Sequence, residues 1–196
     1  MVSISKTNKK MGGIPSISFP PVITCAHCED CAKICYARRM ANFHKTVGEA
    51  WAHNLEEWRT NPTAVKYAII NAAITSAYFR YFVGGDIPDG DFLRLMVEIA
   101  QTVPTCKFLA FTKKYELVNE FINGGGIIPD NLKIIFSEWR ESIPNPYNLP
   151  TSRVIFKGEE EPHGAMVCGG NCAECICKGI ACWTLKNGES IYFYQH

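Results

Sequence analysis

The chain has 196 residues, 47% of them hydrophobic and 20% charged, with a formal net charge of +1. That length and apolar fraction support one well-buried core, and the near-neutral balance gives no reason to expect nucleic acid, an acidic membrane or an acidic substrate. No apolar run is long enough to span a bilayer, and the start, Met1 to Met11, is polar and lysine-bearing, so the chain reads as a cytoplasmic protein with no membrane partner.

Residues 14–24 alternate, are rich in β-branched side chains and carry prolines at their edge, which predicts an extended strand running straight into Cys25. From about residue 30 to 43 the residues favour helix, and Cys31 and Cys35, four apart, would share one face of its first turn. Helical patterning returns over residues 46–58 and 63–77, broken at Asn61-Pro62. A short aromatic strand over 78–83 stops at Gly84-Gly85-Asp86. Then helix (91–102), apolar strand (107–111), helix (114–122) and apolar strand (132–136) alternate, the signature of βα units on a parallel sheet. Residues 143–150 hold three prolines and read as a loop, followed by one more short strand at 153–156.

The expected fold is therefore α/β. Four or five strands are too few to close an eight-stranded barrel, so an open, partial βα-barrel over residues 1–157 is the economical architecture. From Gly158 the composition turns acidic, glycine-rich and cysteine-rich and ends in a last strand at 190–194. Residues 158–196 are too few to bury much surface alone and read as a small metal-binding appendage.

Ten cysteines in a reducing compartment point to metal or redox chemistry rather than disulfides. Their spacing says more. Cys25, Cys28, Cys31 and Cys35 form a C-x2-C-x2-C-x3-C run, the spacing of bacterial ferredoxin sites, with Tyr36 where a proline usually follows. Cys168, Cys172, Cys175, Cys177 and Cys182 form a second group, with one thiol more than a four-iron cluster needs. Cys177 is the candidate spare, because a one-residue spacer makes joint ligation with Cys175 awkward. Zinc is the rival metal, most of all in this tail group, since closed cysteine sets are common zinc sites. Cys106 stands alone and reads as a small buried hydrophobe. His27, inside the first run, could ligate metal or orient the thiols. At the strand ends, Gly84, Gly85 and Asp86, then Thr112 and Lys113, then Ser137 and Glu138 are candidate ligand contacts, because ligands of parallel α/β folds gather there. Each has an ordinary turn or loop role as its alternative.

Several phrases in combination resemble the gene product 88 family of phage and bacterial proteins, which look like reduced relatives of radical S-adenosylmethionine (SAM) enzymes. They are Ile14-Pro15-Ser16 with Thr24-Cys25, Cys31-x3-Cys35-Tyr36-Ala37, Gly85-Asp86 after an aromatic strand, Phe111-Thr112-Lys113, Asn131-Leu132 leading to Ser137, and Cys182-Trp183. The resemblance implies a radical-SAM-like partial barrel with an iron–sulfur cluster at Cys25, Cys31 and Cys35. It also implies SAM as a cofactor, with the Gly84-Gly85-Asp86 turn standing where such enzymes hold its amino group. The expectation is then a redox enzyme with two [4Fe-4S] clusters, the second on Cys168, Cys172, Cys175 and Cys182. Its reductant would be a donor such as a ferredoxin or flavodoxin, in a bacterial or phage-infected cell. The chain lacks the usual C-x3-C-x2-C signature, and Cys28 could occupy the iron that SAM would need. The alternative is a non-enzymatic zinc- or cluster-stabilised protein for binding or electron transfer.

Overall fold

The computed structural model describes residues 1–6, 8, 10–140, 142–179 and 182–195. It is a mixed α/β fold with a seven-stranded parallel sheet and six α-helices among those residues. Strand β1 (Ser16–Ile17) is followed by helices α1 (Tyr36–Phe43), α2 (Lys45–Thr60) and α3 (Pro62–Ile74). Then come β2 (Tyr78–Tyr81), α4 (Gly90–Thr102), β3 (Lys107–Thr112), α5 (Tyr115–Asn123) and β4 (Leu132–Ser137). Strands β5 (Thr151–Ile155) and β6 (Met166–Val167), helix α6 (Cys172–Cys177) and strand β7 (Ser190–Tyr194) complete the chain. The spatial order is β1-β2-β3-β4-β5-β7-β6, so the segment after Gly158 adds two strands to the same sheet, β7 beside β5 and β6 beyond it.

Local signals set most boundaries. Asn61 caps α3 by accepting from the Ala64 amide, with Pro62 in the first turn where its missing N–H costs nothing. Asp89 caps α4 through Phe92 N at 2.9 Å and with its other oxygen takes the Trp58 indole at 2.8 Å, tying α2 to α4. Two sequence expectations need correction. The predicted strand over 14–24 pairs only at Ser16–Ile17, because Pro20 and Pro21 cannot continue a ladder. The predicted helix over 30–43 is broken: a 3₁₀ turn covers Cys31–Lys33, and α1 starts at Tyr36 with Cys35 as its cap, so Cys31 and Cys35 do not share a helical face.

The pleat sorts the sheet residues into two cores. Phe79, Tyr81, Phe108, Ala110, Ile134 and Phe136 face the helices, joined by Trp58, Ile69, Phe92 and Met96 in the larger core. The opposite face presents Tyr78, Leu109, Phe111, Ile135, Ile191 and Phe193, which pack with Trp183, Leu185 and the thiol-bearing tail. A two-residue side-chain period thus puts the helices on one face and the tail on the other. No helix among the described residues is long and apolar enough to cross a membrane.

Candidate metal centres

The N-terminal group sits in the loop between β1 and α1. Its four thiols are half-buried and free, and they are close enough that Cys28 and Cys35 act electrostatically on both Cys25 and Cys31. Backbone amides point at two of the sulfurs: Val22 N donates to Cys25 and Arg38 N to Cys35, each at 3.4 Å. The second bond makes Cys35 the N-cap of α1. Burial, with the Asp86 charge added, pushes the metal-free Cys25 thiol up to about 12. Burial also raises Cys31, and Lys113 beside it acts in the opposite direction.

The tail group lies against the sheet face away from the helices. Cys168, Cys172, Cys175 and Cys182 pack with Trp183 and Ile176 and act on one another electrostatically, whereas Cys177 is exposed and Cys106 is buried in the helix-side core. Gly170 N donates to Cys168 Sγ at 3.4 Å, and Cys172 N donates to Lys10 O at 2.9 Å, which pins the tail to the N-terminal segment. Burial pushes Cys182 up to about 12, against the pull of Arg80.

No three of the described His, Cys, Asp and Glu side chains converge closely enough to hold a single metal ion. Each group nonetheless places four thiols in electrostatic range of one another, with N–H groups aimed at sulfur, a donor set that fits either an iron–sulfur cluster or zinc. His27 is turned toward α5, its Nε2 3.2 Å from Glu116 and its ring stacked on Tyr115 at 5.4 Å.

The Gly84-Gly85-Asp86 turn has packing reasons of its own. A Cβ on Gly84 would lie 2.4 Å from the Trp51 ring. One on Gly85, whose φ is +77°, would lie 2.5 Å from Phe19 O. Asp86 is 4% exposed. Its carboxylate accepts from Thr112 Oγ1 at 2.6 Å, Lys113 N at 2.8 Å and Ile87 N at 2.7 Å. Three of roughly four acceptor positions are therefore used inside the protein. Burial lifts its carboxyl to about 6 despite those donors. Asp86 thus fastens the end of β2 to the end of β3, and it orients the backbone of Lys113.

Lys113 and Ser137 meet Cys31 and Cys35 around a cavity of about 320 Å³ at the carboxyl ends of β3, β4, β5 and β7. Gly84, Gly85 and Asp86 do not line it; Arg80, Phe111, Trp139, Val154 and Phe193 do. Lys113 Nζ donates to His27 O at 3.3 Å and lies 5.0 Å over the Trp139 ring. Glu138 is paired with Arg153. Arg80 went unnoticed in the sequence. It stands 4.3 Å over Phe111 and its Nε donates to Tyr81 O at 3.0 Å. Burial pushes its guanidinium down, and Cys182, Cys172 and Cys168 act to raise it. A charge in the middle of Tyr78-Phe79-Arg80-Tyr81 was the signal available, since an aromatic strand has no packing use for one.

Comparison with curated proteins and with solved structures finds no match. A family model does: gene product 88, over residues 3–175, which takes in the first cysteine run, the sheet through β6, and Cys168, Cys172 and Cys175. The chain belongs to the gene product 88 family.

Proposed function

We propose that the chain is an iron–sulfur redox protein holding two [4Fe-4S] clusters, one on Cys25, Cys28, Cys31 and Cys35 and one on Cys168, Cys172, Cys175 and Cys182. The observation that carries this is the partition of the thiols into two sets of four, with Cys177 outside at the surface and Cys106 apart in the other core. Such clusters supply one-electron transfer when bound. The protein's own part is to aim N–H groups at Cys25, Cys35 and Cys168 and to set Lys113 beside Cys31 and Arg80 beside the tail thiols. Anaerobically prepared protein should be brown, with about eight iron and eight sulfide per chain. Stoichiometric zinc without sulfide, after expression with ample iron, would sink the proposal.

The finer form of this reading is a radical-SAM-like enzyme built on a partial βα-barrel with a cluster-binding tail, reduced by a ferredoxin or flavodoxin. It is supported by the parallel sheet and by the cavity that joins Cys31 and Cys35 to the strand ends. The reading as an electron-transfer or binding protein has its own support in Asp86, whose carboxylate is already engaged by three donors, and in Gly84, which is covered by Trp51. Electron paramagnetic resonance of the reduced protein with and without SAM separates the two. A perturbed signal with 5′-deoxyadenosine formed favours the enzyme; an unchanged signal with none formed favours the carrier.

A further inference from the structure

We infer that the cavity between the two cysteine groups binds a small organic acid, with a flat apolar body against the aromatic walls and one carboxylate or phosphate held by Arg80. It names a substrate class for the site proposed above and rests on that reading for the chemistry, though not for the binding.

The volume, about 320 Å³, is at the lower end of small-molecule pockets. Phe111 and Phe193, edge to face at 5.7 Å, form one wall, and Trp139 belongs to another. Such surfaces take a planar apolar group. The charges decide the rest. Among the described residues three cations line the cavity, with a single acid, Glu138, already paired with Arg153. Lys113 is engaged by His27 O. That leaves Arg80, whose charge also acts on Cys168, Cys172 and Cys182. Among the described residues no carboxylate pairs with it, and of its five N–H donors only the one on Nε has a carbonyl acceptor, Tyr81 O. A half-buried guanidinium with open donors favours an anion that can accept two of them at once.

Neutral donors sit nearby. Ser137 Oγ accepts from Ser152 Oγ at 3.2 Å and keeps its own proton to give. Among the described residues no unpaired acid lines the cavity to attract an amine instead. A ligand seated on Arg80 would lie in the same cavity as Cys31 and Cys35, as a substrate of the first cluster must.

The test uses the full chain, purified anaerobically, titrated with phenylacetate, phenyl phosphate and uncharged phenylacetamide by isothermal calorimetry and ligand-observed NMR. One of the acids should bind at least about tenfold more tightly than the amide, and which acid it is tells carboxylate from phosphate. Arg80→Gln should abolish that preference. Val154→Trp, which fills the cavity from β5, should abolish acid binding with the circular dichroism unchanged, and it serves if Arg80→Gln does not fold. Equal binding of acid and amide, binding of neither acid, a preference that survives Arg80→Gln, or binding that survives Val154→Trp would each overturn the inference. Iron assayed on the same sample keeps the two readings apart. Colourless protein that still prefers the acid defeats the clusters and keeps the cavity, and iron-loaded protein without the preference does the reverse.

Discussion

The N-terminal thiols share their surroundings with a buried carboxylate, Asp86, and one ammonium, Lys113, whereas the tail thiols face two cations, Arg80 and Lys10. The two thiol sets are alike, four thiols with backbone N–H groups aimed at one or two sulfurs, but the charge around the first is mixed and around the second positive. They also differ in what holds them. The first group is a surface loop pinned at its ends by Thr24, through Pro20 O and the Asp86 amide, and by the cap of α1. The tail group is packed into a hydrophobic cluster around Trp183. Loss of metal should therefore loosen the first locally, while the tail keeps an apolar seat.

The largest test of that contrast is Trp183→Ala. Removing a side chain buried against Tyr78 in the tail cluster should cost about 3–5 kcal/mol and release the tail iron, with the first group still loaded. Urea unfolding and iron per chain measure it. Equal loss of iron from both groups would mean that the two regions are not independent.

Next comes Cys31→Ala or Cys35→Ala, which should remove about four iron atoms from the chain and leave the tail cluster's spectrum unchanged. Loss of all iron would merge the two centres into one folding unit.

Gly84→Ala should destabilise by about 2–3 kcal/mol, because the new methyl overpacks the Trp51 ring, and Trp51→Leu in the same chain should recover most of that. Failure of the rescue, with cofactor binding lost, would return this turn to the cofactor.

A smaller effect separates the fields. The more positive surroundings of the tail favour its reduced, more negative form, so it should titrate at a higher potential than the first group. Arg80→Met should lower that potential with iron retained, read by potentiometric titration. The smallest effects should come from Cys177→Ala, with full iron, and Cys106→Ala, with full iron and a loss of about 1 kcal/mol from the vacated core volume.

Much of the architecture was legible because it is written in local periods. The helices at 45–60, 90–102 and 115–123 and the strands at 78–81, 107–112 and 132–137 follow from 3.6- and 2-residue patterning, and the cysteine groups follow from spacing alone. Lys113 and Ser137 could be named because strand ends in a parallel sheet are where ligands gather. Residues 30–43 misled because helix-favouring composition continues through Cys31 to Cys35, where Cys35 instead turns its sulfur to the Arg38 amide.

What local pattern could not hold was anything decided by residues far apart in the chain. Only the tertiary structure brings β7 between β5 and β6 and lays the tail over the sheet face opposite the large helical core. It alone turns Asp86 inward to Thr112 and Lys113, and it alone sets Arg80 between a cavity bordered by Cys31 and the thiols of Cys168, Cys172 and Cys182. The physical reason is the same in each case. Which face a residue takes follows from its parity in the strand, but what covers that face is chosen by packing and charge between segments more than twenty residues apart.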